Sequence, residues 1–237
     1  QNVGGQRGAK VADYQLQAIN WGLYMQDRIH FTDHFSLVLG LQALYASRDL
    51  NEETLIPGVG AFLPNTINNT DRLSYFGISP KIGLIYEFDP LTQIYFNASR
   101  SFEPPTFGEA TPIGANGIVH LEPQWATTFE LGTRGERGRV GWDFSYYYAV
   151  VDRELLTLGV QPLPANTINA GKTIHQGVEF GLTADLLRNL TTASDTRYDR
   201  LALRQNFFWN DFRFKNDPSF GSRLLPGFAP FYYRAEL

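Results

Sequence analysis

Four histidines, His30, His34, His120 and His175, are the first side chains to test for chemistry, since the chain has no cysteine to act as thiolate nucleophile or metal ligand. His30 and His34 stand four apart across Phe31-Thr32-Asp33. That spacing gathers metal ligands on one face of a helix, but not across a strand turn. His120 lies in a long irregular stretch, where a neutral surface imidazole explains it as well as a ligand role does. His175 precedes Gln176-Gly177-Val178-Glu179 in an alternating segment. There is no Gly-x-Ser-x-Gly elbow and no phosphate-binding glycine loop. What remains is a set of charged groups on one strand parity: Glu130, Arg134, Arg153, His175 and Glu179. Such groups bind and pair; they do not form a nucleophilic site.

The elements that carry these groups are strands. From Val140 to Val151 one parity reads Val140, Trp142, Phe144, Tyr146, Tyr148, Val150, and the other Gly141, Asp143, Ser145, Tyr147, Ala149, Val151. Successive strand side chains point to opposite faces, so the ribbon has one greasy face and one small or polar face. Ile174, Val178, Phe180, Leu182, Ala184 and Leu186 repeat the greasy row, with His175, Gly177, Glu179, Gly181, Thr183 and Asp185 opposite. Alternation alone fits both a soluble sandwich and a membrane barrel.

Length and loops separate the two. Strands are expected over 13–29, 33–47, 73–88, 91–101, 125–135, 139–154, 173–187, 201–210 and 228–237. Several exceed the usual five or six residues and reach the roughly 9–11 that cross a bilayer at a tilt. Phe31-Thr32-Asp33, Asp89-Pro90 and Arg137-Gly138 are tight turns, whereas 48–72, 102–124, 155–172 and 211–227 are long loops. The link 188–200 is of middling length where a short turn is due. Long connections alternating with short ones characterise an outer-membrane barrel, and a sandwich has no such rule. The fold class is therefore all-β, an antiparallel transmembrane β-barrel, of which about nine strands are present.

Composition agrees. The chain has 237 residues, 19% charged and 14% aromatic, with a net charge of -4. That balance gives no case for a nucleic-acid partner. No run of 18 apolar residues exists to form a transmembrane helix. Aromatic residues cluster at strand ends (Tyr86, Phe88, Phe102, Trp125, Phe231, Tyr232, Tyr233), where amphipathic rings suit membrane interfaces, although aromatics are also good strand formers.

At Tyr95-Phe96-Asn97-Ala98-Ser99-Arg100-Ser101 and Phe102-Glu103-Pro104-Pro105 the chain resembles the barrel domain of TonB-dependent outer-membrane receptors. Leu121-Glu122-Pro123-Gln124, Thr128-Phe129-Glu130-Leu131-Gly132-Thr133-Arg134-Gly135, Asn169-Ala170-Gly171-Lys172-Thr173 with Gly177-Val178-Glu179, and Leu225-Pro226-Gly227 follow in the family's order. Tyr24-Met25-Gln26-Asp27 looks like its Tyr-x-Gln-Asp strand signature. The resemblance implies a barrel of about 22 strands with a plugged lumen, in the outer membrane of a Gram-negative cell. It implies TonB-dependent uptake of a scarce nutrient, most often a ferric siderophore or other iron chelate. The implied partners are that small molecule, outer-membrane lipid, and the TonB complex reached through an N-terminal part that this sequence lacks. No cofactor is implied beyond a ferric chelate as transported ligand, and no enzyme activity. The expected domain is a partial barrel over 1–237 with the plug absent; the chain stops at Leu237 without a final aromatic-ended strand. A passive porin or adhesion barrel is the alternative, and a hydrolase would need a Ser–His pair that cannot be assembled.

The motifs set structural expectations. Gly171 and Gly177 permit close strand approach, and Pro104-Pro105 end ladder pairing. Glu130 and Glu179 make ion pairs with the wall or the plug, with Arg134 closing such a pair near the turn, and Asp152-Arg153-Glu154 form a solvated rim. Receptors of the resembled family gather ligand at the external mouth, which makes the inward residues near the long loops, Gln124, Arg153 and His175, the candidate ligand contacts. Arg153 leads if the ligand is an anionic iron chelate, because a guanidinium offers fixed donors to carboxylate or catecholate oxygens. The apolar loop stretches 56–63 and 160–164 either line an apolar ligand or pack on each other.

Overall fold

The computed structural model describes residues 12–56, 65–111, 118–159, 166–188 and 200–237. Among these, nine strands form one antiparallel sheet. In spatial order they are β1 (Ala12–His30), β2 (Phe35–Ile56), β3 (Asn65–Asp89), β4 (Thr92–Glu103), β5 (Gln124–Arg137), β6 (Val140–Asp152), β9 (Lys172–Arg188), β10 (Arg200–Lys215) and β11 (Phe231–Glu236). The two remaining strands, β7 (Leu155–Leu158) and β8 (Asn166–Asn169), pair with each other inside the β6–β9 connection. A four-residue helix, α1 (Phe107–Ala110), lies in the β4–β5 connection. Every strand pair is antiparallel and no connection crosses over, so the tight turns share one end of the sheet and the long loops the other.

Local chemistry closes the tight turns. The Thr32 hydroxyl accepts the backbone N–H groups of His34 and Phe35, and the Asp89 carboxylate accepts that of Leu91. Gly138 takes φ +66 in the β5–β6 turn, a region open to glycine at no steric cost.

The register explains what holds the sheet in place. Ile29, Leu37, Leu84, Phe96, Leu131, Tyr146, Val178, Trp209 and Phe231 are successive cross-strand partners from one edge to the other. This apolar row lies on the outer face, and no second sheet covers it among the described residues. On the same face Trp21 and Leu23 are 71% and 75% exposed, a level that no soluble core shows. Lipid is the solvent that such a face requires. On β1, β2 and β3 the apolar positions continue about eight residues past that row, to Trp21, Tyr45 and Phe76, while on β10 they stop at Trp209. Across seven strand spacings, at ~3.3 Å per residue and ~4.8 Å per strand, this drift inclines the strands by roughly 40° to the band. That is the tilt of a barrel wall.

The inward face is polar and fitted around glycine. Tyr95 opposes Gly132, and Tyr147 opposes Gly177. A Cβ on Gly132 would lie 2.4 Å from the Tyr95 ring, and one on Gly177 2.5 Å from the Tyr147 hydroxyl. Gly177 thus permits the close approach expected of it, here by a ring from the neighbouring strand.

Several expected boundaries move. Most of the expected loop 48–72 is strand: β2 and β3 run 22 and 25 residues, well past the membrane. Arg48 and Glu52, inward there, are buried, and Arg48 bonds the Pro105 carbonyl in the β4–β5 connection. The expected loop 211–227 begins later, since β10 runs to Lys215, and the last strand is shorter than 228–237. The expected row on β6 is exposed at Val140, Phe144 and Tyr146, but Trp142 and Tyr148 are half-buried. Trp142 bends over Gly135, 2.6 Å from where a Cβ would stand. Stretches 57–63 and 160–164, and the middle of the 188–200 link, lie outside the described residues.

Candidate functional site

The long-loop end of the inward face is built from three connections. Pro104 and Pro105 follow directly on the end of β4 and are buried, ending the ladder as expected. Thr106 then starts α1, its backbone N–H and its hydroxyl donating to Glu109 at 2.7 and 2.8 Å. Arg48 holds this segment down. Its Nε donates to the Pro105 carbonyl at 3.1 Å and its Nη1 to Asn20 at 2.9 Å. Tyr75 donates to the Leu121 carbonyl at 2.9 Å, and His120 Nε2 lies 2.6 Å from Asp71. His120 is therefore tied to a carboxylate at the rim.

Gln124, Arg153 and His175 converge on the corner where β6 turns into β7. Gln124 donates to Glu103 at 2.6 Å and accepts the Leu155 N–H at 2.8 Å, which clamps the end of β4 to the start of β7. Arg153 leaves β6 with φ +58, a left-handed conformation that few non-glycine residues adopt. Its guanidinium meets Glu122 at 3.0 Å while remaining 45% exposed, so an incoming anion can reach it. His175 Nε2 lies 3.1 Å from Glu154, and its ring stacks on Phe212 at 4.4 Å with Phe228 edge-on at 6.3 Å. The buried Thr173 hydroxyl donates to the same Glu154 oxygen.

Two residues that complete this corner were not among the expected contacts. Asn169 donates to the carbonyls of Glu122 and Arg153 at 2.8 and 3.0 Å, and accepts the Glu122 N–H at 2.8 Å. It thereby fixes the Arg153–Glu122 pair from the backbone side. Glu154 was expected on a solvated rim, but its side chain is 10% exposed and turned inward to His175 and Thr173. The signal for Asn169 was present in Asn169-Ala170-Gly171-Lys172-Thr173; for Glu154 there was none, because its burial depends on a strand far along the chain.

Behind the corner, the next loop packs Phe214, Leu225 and Ala170 into a small core with Phe220 stacked on Phe214. Asp217 shapes its turn by accepting the N–H groups of Ser219 and Phe220 at 2.8 and 3.0 Å. These backbone hydrogen bonds hold its carboxyl below the usual range.

Mid-wall, Glu130 accepts the Tyr95 hydroxyl at 3.0 Å, and Arg134 lies over the Tyr95 ring at 5.1 Å while reaching Asp143 at 3.6 Å. Arg134 therefore closes an ion pair near the β5–β6 turn, as expected, and its partner is Asp143, which stands directly opposite it on β6. At the tight-turn end, His30 is bonded to Ser36 and His34 to the Glu87 carbonyl, so each imidazole is satisfied separately.

The whole chain, residues 1–237, matches the family described as TonB dependent receptor-like, β-barrel. An uncharacterized TonB-dependent receptor of Haemophilus influenzae is 26% identical over 185 residues, 78% of this chain and 50% of that protein. The metal-pseudopaline receptor CntO of Pseudomonas aeruginosa is 24% identical over 170 residues, 71% of this chain and 22% of that protein. The chain thus spans half or less of these relatives. Among solved structures, the ferric yersiniabactin uptake receptor FyuA from Yersinia pestis superposes with a TM-score of 0.72 at 16% identity, covering 94% of this chain and 31% of that one. The copper transporter OprC superposes with a TM-score of 0.68 at 17% identity, covering 96% and 33%. These likenesses establish the fold of a large barrel's wall.

Proposed function

The chain belongs to the TonB-dependent receptor-like β-barrel family, and from that premise we propose that it forms part of an outer-membrane receptor for energised uptake of an anionic ferric chelate, most simply a ferric siderophore. The long loops then face outside the cell and the tight turns the periplasm. The observation that carries the ligand class is Arg153: a guanidinium at the loop end of the inward face, held by backbone bonds yet half exposed. An anionic chelate exchanges the Glu122 carboxylate for its own oxygens, and the positive charge remains compensated. Gln124 and His175 flank it, one offering an amide and the other an imidazole backed by two phenyl rings. A metal-chelate class agrees with what similar proteins take up: metal-pseudopaline for the relative CntO, and ferric yersiniabactin for FyuA, whose barrel has the same fold.

Growth on single ferric chelates as sole iron source tests this reading. The complete receptor supports growth on at least one anionic chelate at nanomolar supply, and only while the inner-membrane energy complex is intact. Growth that persists without that complex, rising linearly with chelate concentration, identifies a passive pore instead.

A further inference from the structure

One carboxylate stands inside the apolar band of the outer face. Asp27 shares the strand parity of Trp21, Leu23, Met25 and Ile29 on β1, and like them it is exposed. Its direct partner on β2 is Leu39, and that row continues through Ile82, Ala98 and Phe129. The stacked Phe31 and Phe35 rings mark the tight-turn margin of the band. Asp27 lies four residues from Phe31, which at ~3.3 Å per residue and a tilt of roughly 40° puts it about 10 Å inside that margin. An aspartate side chain is too short to carry its charge back to water across that depth, as a long Lys or Arg stem can. The Asp27 carboxylate has no hydrogen-bond or ionic partner among the described residues. A charge left alone in hydrocarbon is costly, and intramembrane carboxylates are found paired.

We infer that Asp27 is the anionic half of an ion pair across the free edge of β1, its partner a Lys or Arg on the strand that adjoins β1 in the complete barrel. The side from which a partner comes follows from the register. On β2 the residues within reach on the same face are Leu37, Leu39 and Leu41, and along β1 they are Met25 and Ile29; none of these side chains can donate. The other edge of β1 is bare among the described residues, since β1 pairs with β2 alone. An unpaired strand edge does not stand in hydrocarbon, so a further strand of the wall lies along it. A residue directly opposite Asp27 on that strand has its Cβ about 5 Å away, and the diagonal ones about 7–8 Å, both within the span of Lys or Arg. A neutral donor would leave the negative charge in lipid, whereas a cation cancels it. Such a pair also sets register at this edge: a slip of one residue turns the cation inward and leaves Asp27 alone. The inference rests on the barrel and not on the identity of the transported ligand.

The test uses the full-length receptor in phosphatidylcholine vesicles, with the folding equilibrium followed in urea. Asp27→Leu lowers the folding equilibrium constant by at least about tenfold, because it strands a cation in hydrocarbon. Asp27→Glu, which keeps the charge, stays within about threefold of the native protein. Leucine at both Asp27 and its cationic partner regains most of the loss, because two apolar side chains leave no charge in lipid. Where Asp27→Leu does not fold at all, folding of the double variant is the expected result and its failure the contrary one. A carboxylate that faces lipid alone behaves in the opposite way: Asp27→Leu is then as stable as the native protein or more so, which overturns the proposal. A double-leucine variant that recovers nothing overturns it too, as does an adjoining strand with neither Lys nor Arg opposite or diagonal to Asp27.

Discussion

The Tyr147 hydroxyl crosses Gly177, its paired residue on β9, and donates to Asn210 on β10 at 2.8 Å, so one side chain ties three strands together. The tie exists only because position 177 has no side chain. A Cβ there would lie 2.4 Å from the Trp209 carbonyl oxygen as well as 2.5 Å from the tyrosine, and the backbone contact cannot move aside. Gly177→Ala is expected to cost about 1–3 kcal/mol through overpacking. Tyr147→Phe removes only the hydrogen bond, for about 1 kcal/mol. Urea unfolding of the receptor in detergent micelles measures both; equal and negligible effects would remove this tie from the account.

The two faces respond oppositely to charge. Leu131→Arg places a cation in the lipid-facing row and is expected to destabilise by about 2–4 kcal/mol near the membrane midplane. Glu130→Gln, one residue away but inward, is expected to cost at most about 1 kcal/mol, since only its bond from Tyr95 weakens. Folding titrations into lipid vesicles distinguish them, and a larger loss from Glu130→Gln would reverse the assignment of faces.

Much of this wall was legible in the sequence, because period-two alternation is imposed by the bilayer on each strand separately. The nine strands of the sheet, the tight turns at Asp89-Pro90 and Gly138, and the apolar face of β6 follow from local pattern. The ends of β2 and β3 were not legible. The charged run from Arg48 to Glu53 reads as loop, yet it is strand, because Arg48 finds its partner in Pro105, 57 residues away. The placing of side chains at the mouth corner shows the same division. Gln124, Arg153 and His175 follow from parity and loop position, whereas Glu122, Glu154 and Asn169 gain their roles only when the connections fold onto one another.

The loop after β10 is expected to loosen in acid. The Asp217 carboxyl is held below the ordinary carboxylate range by backbone hydrogen bonds from Ser219 and Phe220. Because the folded value is depressed, its contribution is complete above the unfolded value of about 3.9 and is lost as pH falls through the lower folded value. Hydrogen exchange at Ser219 and Phe220 should accelerate only below about pH 4. In Asp217→Ala it should be fast throughout, and protection in that variant at neutral pH would contradict the assignment.

Asn169→Ala removes a side chain that makes three bonds at the mouth corner. The expected loss is about 1–3 kcal/mol of local stability, seen as faster proteolysis of the connection between β6 and β9 with global unfolding little changed. Uniform loss across the receptor would mean that Asn169 supports the wall and not the corner.

Equilibrium binding of a panel of ferric chelates to the complete receptor, native beside Arg153→Ala, tests the central claim most directly. Removing a charge-assisted contact is expected to weaken the anionic chelates by about 10- to 100-fold, matching roughly 1.5–3 kcal/mol, and to leave neutral chelates nearly unaffected. Unchanged affinity across the anionic panel, in a variant that still folds, would contradict the placement of the ligand at Arg153.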